Sequence, residues 1–223
     1  MEDGNLMNNV LYEDNHIIVV EKKINIPVQE DDSKDKDLLT IIKEYLKEKY
    51  NKPGNVYLGL IHRLDRPVGG VMVFAKTSKA ASRLSEQMRN KTIKKKYYAV
   101  VEGNTKNSDV LIDKLYKDSK TNMVCVDLKG KDAVLSYEKI GMINNFSLVD
   151  IELKTGRKHQ IRVQFSSRNM PLWGDQRYNK NAISGQQIAL FSYYLSFVHP
   201  TTKELMEFKL DLPNREPFNL FNR

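Results

Sequence analysis

The chain has 223 residues, which suits one medium-sized domain with a substantial buried core. Hydrophobic residues make up 40% and charged residues 29%, as in ordinary globular proteins, and no apolar run approaches the roughly 20 residues that cross a bilayer. Lysine and arginine outnumber aspartate and glutamate by 36 to 28, and the resulting net charge of +8 suits a polyanionic partner. The only cysteine, Cys125, rules out an intramolecular disulfide, and its apolar neighbours predict an inert, buried thiol.

The N-terminal segment Met1–Asn5 has neither a basic region nor an apolar core, so we expect no secretory signal. A single thiol favours a reducing compartment, and we expect a cytoplasmic protein. The sequence contains no internal repeat, low-complexity linker or break in composition. It therefore predicts one domain over residues 1–223, and nothing in it requires more than a monomer.

Strands and helices are predicted from the periodicity of apolar residues and from turn signals. Strands are expected within residues 10–23 (two, around an Asp-Asn turn) and at 71–75, 93–101, 123–128, 133–140, 146–153, 188–198 and 204–210. Helices are expected over residues 38–50, in a segment capped by Ser78, and over 159–168. This pattern predicts an α+β domain with a mixed, largely antiparallel central sheet flanked by helices.

The most informative stretch is residues 59–77, in which Asp65 stands among cationic side chains just before an apolar run. We expect Arg63 and Arg66 to keep Asp65 ionised and in a fixed orientation. Gly69-Gly70 allows a close approach of a ligand or an unusual backbone angle. Such a carboxylate is a nucleophile, a general base or a member of a structural ion pair, and these residues alone leave the choice open.

This stretch resembles the signature of the RluA-type pseudouridine synthases, which isomerise uridine in structured RNA. The resemblance is carried by His62-Arg63-Leu64-Asp65-Arg66, by Gly70 and by Phe74-Ala75-Lys76-Thr77. It implies that Asp65 is the catalytic nucleophile. The family usually has Thr-Ser-Gly where this chain has Val68-Gly69-Gly70.

A second segment, Lys94 to Gly103, resembles the family pattern K-x-Y-x-A-x-V-x-G. The alignment places the family's active-site tyrosine on Tyr97, whose phenol would stack on a flipped uracil. Without the resemblance, Tyr97 and Tyr98 are two strand residues facing opposite sides. We expect Tyr98 to belong to the core.

A third segment, residues 153–164, resembles the pattern TGRxHQ(I/L)RxH. The resemblance implies that Arg162 pairs with the nucleophilic aspartate, and a bidentate guanidinium would suit that task better than a lysine. Gln164 replaces the histidine that ends the family pattern. Residues 171–178 also match a family segment, and there we expect Gly174-Asp175 to form a structural turn.

Further polar residues of these motifs are predicted to contact RNA. They are Arg63, His62, Arg66, Lys96, Arg157, Lys158 and His159. Without the resemblance, the basic residues among them form solvated strand and helix faces. His62 and His159 alone do not make a metal site, because at least one more ligand is needed.

The resemblance implies an RNA pseudouridine synthase with an RNA-binding cleft, acting on ribosomal or transfer RNA by base flipping. No cofactor or metal is expected, because the isomerisation involves no redox change. With Val10 already in the catalytic domain, we expect a short form without the extra N-terminal RNA-binding domain of many relatives. The sequence leaves three routes open for Asp65: attack on C1′ of the ribose, attack on C6 of uracil, or assistance to a glycal route.

Two other functions remain possible on the sequence. One is a non-catalytic RNA-binding module that keeps the synthase fold. The other is a nucleoside hydrolase or a base-excising glycosylase, which would also place a carboxylate near a sugar but would release free uracil. The basic clusters fit folded RNA better than a small nucleoside.

Overall fold

The structure, a computed structural model, describes residues 9–221. The strands are β1 (Val10–Glu13), β2 (Ile17–Lys22), β3 (Gly59–Leu60), β4 (Gly69–Ala75), β5 (Lys94–Glu102), β6 (Ser108–Lys117), β7 (Val124–Val126), β8 (Lys131–Ile143), β9 (Phe146–Leu153), β10 (Leu190–Val198) and β11 (Leu205–Lys209). The helices are α1 (Leu38–Lys49), α2 (Ser78–Arg89), α3 (Gln160–Ser166) and a 3-10 helix at Phe218–Phe221. The segment Met1–Asn5, on which the expectation about a secretory signal depends, lies outside the described residues.

The chain divides into two compact units. The first combines Met1–Ile93 with Tyr194–Leu210, and the second combines Lys94–Tyr193 with Asp211–Arg223. The α+β fold class is confirmed, while the assignment of residues 1–223 to one domain stays a prediction. No helix within residues 9–221 is both long and apolar enough to cross a membrane.

In the first unit, β2 pairs antiparallel with both β1 and β4, and β3 also pairs with β4. Every residue of β4 is buried, which explains why its sequence is a continuous apolar run rather than an alternation. The part of β10 that belongs to this unit pairs with β11. The core includes Ile17, Val19, Val71, Val73, Ala75, Ala80, Leu84, Ile93, Leu195 and Phe197.

Side-chain caps fix where the two helices of this unit begin. The Asp37 carboxylate accepts a hydrogen bond from the backbone N–H of Thr40 at 3.1 Å, and α1 starts at the next residue after Asp37. The prediction that Ser78 caps α2 is wrong by one residue, because the hydroxyl of Thr77 accepts from Ala80 N–H at 3.2 Å. Ser78 is instead the first residue of the helix.

In the second unit, antiparallel pairing links β5 to β9, β9 to β8, β8 to β6 and β6 to β7. Helix α3 lies against this sheet, with the rings of Phe165 and Tyr137 5.2 Å apart. The side-chain amide of Gln164 donates to the backbone oxygens of Leu111 and Ala133 at 3.2 and 3.3 Å. The departure from the family pattern at Gln164 therefore places a buried residue that ties α3 to β6 and β8.

The environment predicted for Cys125 is wrong. Its thiol is exposed, because β7 is only three residues long and pairs with β6 alone. Val124 is the buried residue of that strand, while Cys125 and Val126 are both exposed.

Candidate active site

Asp65 lies in the loop between β3 and β4, in the first unit. Leu64 and Val68 on either side of it are buried, whereas Asp65 is half-buried. The Val68 N–H donates to the Asp65 carbonyl at 2.9 Å and closes the turn. The sequence motif thus positions a carboxylate in the turn that leads into a fully buried strand.

The expectation that Arg63 and Arg66 hold Asp65 is wrong. The Arg63 guanidinium is exposed and donates to the Gln29 side chain at 3.2 Å. The Arg66 guanidinium bonds to the Ser33 hydroxyl at 2.6 Å and to the carboxylates of Asp31 and Asp35. Both arginine side chains are long enough to leave the turn and reach the polar loop of residues 29–35.

The His62 side chain is hydrogen-bonded to strand β4. Its Nε2 accepts a hydrogen bond from the backbone N–H of Val73 at 3.3 Å. This bond requires Nε2 to be unprotonated, so the ring proton lies on Nδ1 in the neutral form. RNA contacts by His62, Arg63 and Arg66 stay predictions.

Lys22 is a residue of this site that the sequence motifs did not single out. It ends β2 and is fully buried, with 0% exposure. Its ammonium donates to the backbone oxygens of Lys23, Arg66 and Val68 at 3.0, 2.9 and 2.8 Å. Two of these oxygens belong to the turn after Asp65, so Lys22 fixes that turn from within the core.

Electrostatics also links Lys22 to Asp65. Burial lowers the pKa of Lys22 from 10.5 to about 7; the Asp65 carboxylate opposes the shift, and Arg66 adds to it. The charged form of Lys22 is therefore maintained partly by the carboxylate that the motif predicts to be the nucleophile. A lysine at the end of a strand of buried aliphatic residues is the sequence signal for this arrangement.

Tyr97 lies on β5, in the second unit, and is 6% exposed. Alternation along the strand places Lys95, Tyr97 and Ala99 on one face, and all three are buried. Lys96 and Tyr98 lie on the other face and are half-buried. Tyr97 is therefore a strand residue held in a defined orientation.

The expectation that Tyr98 belongs to the core is only partly met. Its ring stacks on that of Tyr193 with 3.7 Å between centroids, but Tyr98 stays half-buried. The Tyr193 hydroxyl donates to Asp150 at 2.9 Å, and the Lys96 ammonium lies 3.5 Å from the same carboxylate. Lys96 thus has a partner within the chain, and its contact with RNA stays a prediction.

Arg162 lies on α3 and forms a buried, bidentate ion pair with Asp175. Its Nε and Nη2 donate to the two carboxylate oxygens at 2.8 and 2.7 Å. The side chains are 8% and 0% exposed, and the guanidinium carbon is 5.2 Å from the centroid of the Tyr178 ring. This geometry holds the planar guanidinium in one orientation. A pairing of Arg162 with Asp65 stays a prediction.

The turn that carries Asp175 requires a glycine before it. Gly174 has a φ of +69°, and a Cβ at this position would lie 2.8 Å from the Gln187 carbonyl oxygen. The sequence predicted a structural turn here. It did not reveal that Asp175 is the partner of Arg162.

The turn before α3 is held by side chains of its own motif. The Gln160 side-chain oxygen accepts from the Thr155 hydroxyl at 2.7 Å and from the Arg157 N–H at 3.0 Å. The Arg157 Nε donates to the Asp132 carbonyl at 2.9 Å. The shape of this turn thus depends on Gln160, while Lys158 is exposed next to it.

His159 adopts a left-handed conformation, with φ of 52°. Its Nδ1 is 2.7 Å from the Tyr178 hydroxyl, which also accepts from Val124 N–H at 3.1 Å. The direction of this hydrogen bond follows the tautomer of His159: the hydroxyl donates when Nδ1 is unprotonated and accepts when Nδ1 carries the proton. Within residues 9–221, no group of three His, Cys, Asp or Glu side chains is arranged to hold a metal ion.

The buried strand preceded by an aspartate loop and the short helix with a buried arginine belong to a fold that is shared with solved structures. The fold superposes on human RNA pseudouridylate synthase domain containing 4 with a TM-score of 0.81 and 20% identity, covering 97% of this chain and 93% of that one. The model of the RNA pseudouridylate synthase family matches residues 16–167. The chain belongs to that family.

Two curated relatives illustrate the similarity. The ribosomal large subunit pseudouridine synthase C of Buchnera aphidicola subsp. Acyrthosiphon pisum is 33% identical over 208 residues, which cover 88% of this chain. The uncharacterized RNA pseudouridine synthase YlyB of Bacillus subtilis is 37% identical over 158 residues, or 70% of this chain. The chain spans 64% and 52% of the lengths of these two relatives.

Proposed function

We propose that this protein is an RNA pseudouridine synthase, an isomerase that converts specific uridines of ribosomal or transfer RNA to pseudouridine. The observation that carries the proposal is the family match over residues 16–167, which includes Asp65, Tyr97 and Arg162. A ribosomal substrate is supported by the name of the Buchnera relative. The high content of lysine and arginine suits either RNA.

The reaction breaks the bond between N1 of uracil and C1′ of ribose, turns the base and forms a bond between C5 and C1′. The proton on C5 is lost and N1 gains one, so the atoms balance and no electrons are exchanged. Asp65 is the proposed nucleophile, acting on a nucleotide that has been flipped out of the RNA. Lys22 supports this role, because it fixes the backbone that follows Asp65.

Tyr97 and Arg162 complete the proposed catalytic set. Tyr97 would stack on the flipped uracil, which is supported by its place on a buried strand face. Arg162 would orient the nucleophilic carboxylate, which is supported by its fixed guanidinium. The proposed RNA contacts are His62, Arg63, Arg66, Lys96, Arg157, Lys158 and His159.

We also propose that the protein acts in the cytoplasm as a monomer and that residues 1–223 form one catalytic domain. The single cysteine supports the reducing compartment. Sedimentation of the purified protein at micromolar concentration tests the oligomeric state. A dimer would contradict the monomer assignment.

The proposed reaction is tested with transcripts of large-subunit ribosomal RNA and of transfer RNA tritiated at C5 of uridine. We expect the wild-type protein to release tritium from one of them. Asp65→Asn should reduce the rate by at least about 10³-fold, the scale expected when a covalent nucleophile is lost. Asp109→Asn, at an exposed carboxylate paired with Lys106, is the matched control and should keep full activity.

Product analysis separates the alternatives. Pseudouridine in the RNA supports the synthase, whereas free uracil would identify a glycosylase. RNA binding without either product would identify a non-catalytic module. Tritium release that survives Asp65→Asn unchanged would show that another residue is the nucleophile.

A further inference from the structure

Lys95 is a buried cation without a partner in the described part of the chain. It is the second residue of β5 and is 9% exposed. Within residues 9–221 its ammonium makes no hydrogen bond and no ion pair, and burial lowers its pKa. A buried ammonium that is not compensated destabilises a protein, so stability does not account for a lysine at this position.

The position of Lys95 is defined by two features of the proposed active site. Strand alternation places it on the same face of β5 as Tyr97, two residues away. Its Nζ lies 3.4 Å from the position that a Cβ on Gly156 would occupy. Because Gly156 has no side chain, the space beside the ammonium is left free at the turn before α3.

The same turn borders a region of strong positive charge. Gly156 is among the residues that line a cavity of about 450 Å³. Five cationic residues also line it: Lys117, Lys129, Lys131, Arg157 and Lys158. Three of them, Lys117, Lys129 and Lys131, form no ion pair within residues 9–221. Such a wall attracts an anion and repels a cation.

We propose that Lys95 binds a backbone phosphate of the substrate RNA at the Gly156 turn, next to the nucleotide that Tyr97 contacts. The RNA strand lies along the basic cavity wall, and a non-bridging phosphate oxygen is the missing acceptor for the Lys95 ammonium. The proposal rests on the proposed function, since it names a contact of that substrate. In this role Lys95 is an RNA-positioning residue that acts on affinity.

The test measures RNA binding and turnover with a transcript that the wild-type protein modifies. Lys95→Met keeps the length of the side chain and removes the charge. We expect about tenfold weaker binding, the loss of one charge-assisted hydrogen bond, with turnover at saturating RNA unchanged within about twofold. The slope of log affinity against log salt concentration should fall by roughly 0.7 to 1, as for one lost phosphate contact.

Three further variants isolate the phosphate contact from folding effects. Lys95→Arg should keep most of the affinity. Gly156→Ala should weaken binding with the lysine intact, because its methyl group fills the space beside the ammonium. Lys94→Met, at the exposed residue just before Lys95, is the matched control and should bind within about twofold of wild type.

Thermal unfolding without RNA gives an independent readout. Lys95→Met should raise the Tm, because an uncompensated buried charge is removed, whereas a structural role would lower it. Unchanged affinity and salt slope in Lys95→Met would overturn the proposal, and so would a fall in turnover alone. If the wild-type protein modifies no RNA, the proposed function fails; if it does and Lys95→Met matches it, only the phosphate contact fails.

Discussion

Replacing Lys22 by methionine tests how the turn after Asp65 is held. The variant keeps a buried side chain of similar length and removes the donor that three backbone oxygens share at 2.8–3.0 Å. Each buried acceptor left without a donor costs about 1–3 kcal/mol. The desolvation of the ammonium, which disappears in the variant, offsets part of that loss. We expect Lys22→Met to be less stable than wild type at pH 7 by roughly 2–4 kcal/mol.

The pH dependence gives the sharper prediction. Lowering the pKa of Lys22 from 10.5 to about 7 corresponds to about 5 kcal/mol. Between these pH values the unfolded chain binds the proton and the folded chain does not, so wild-type stability rises with pH. This contribution of Lys22 to the free energy of unfolding is complete above pH 10.5 and is lost as the pH falls to 7. The difference between wild type and Lys22→Met should therefore grow by about 2 kcal/mol from pH 7 to pH 9.

Urea unfolding at pH 7, 8 and 9 measures both the stability difference between wild type and Lys22→Met at pH 7 and its growth with pH. Lys23→Met is the matched control: its side chain is exposed, and we expect a change within about 0.5 kcal/mol at every pH. Equal stability of Lys22→Met and wild type at pH 7 would refute the importance of the three carbonyl bonds. A difference that stays constant up to pH 9 would refute the lowered pKa of Lys22.

Two further predictions concern the support of Arg162. Asp175→Asn leaves a buried guanidinium without its carboxylate and should lower the free energy of unfolding by about 3–5 kcal/mol. The control, Asp109→Asn, removes a charge from an exposed ion pair and should lower it by less than about 1 kcal/mol. Similar urea midpoints for the two variants would contradict this prediction. Gly174→Ala combines a positive φ with a methyl group 2.8 Å from a backbone oxygen and should lower the Tm by several degrees, roughly the effect of 1–3 kcal/mol. Gly54→Ala, where a Cβ meets nothing within 4 Å, is its control, and an equal Tm for both variants would show that the turn relaxes.

Much of the fold was predictable because its strands follow simple burial rules. The predicted strand at residues 146–153 coincides with β9, and β4 includes the whole apolar run at 71–75. Strand β6 was missed because only Leu111 and Leu115 of its residues are buried. That spacing of four does not show the alternation of a half-buried strand.

The candidate site was predictable only as far as its motifs reach. The loop of Asp65 and the strand of Tyr97 lie where their motifs indicate. The direction of a long side chain was not predictable, because it depends on residues that the fold brings close from elsewhere in the chain. Arg66 turns to carboxylates more than thirty positions earlier, and Arg162 finds its carboxylate thirteen positions later.

Three lysine or arginine residues are buried within residues 9–221, and they differ in how their charge is compensated. Lys22 is compensated by carbonyl oxygens and Arg162 by a carboxylate, so the charge of each is balanced within the fold. Lys95 has no hydrogen-bond or ion-pair partner within the described residues, and a bound anion would supply one. Removing a compensated cation or its partner should destabilise the protein, whereas removing Lys95 should stabilise it. A fall in stability for Lys22→Met together with a rise for Lys95→Met would distinguish the compensated charge from the uncompensated one before any RNA is added. Stability changes in the same direction would contradict that distinction.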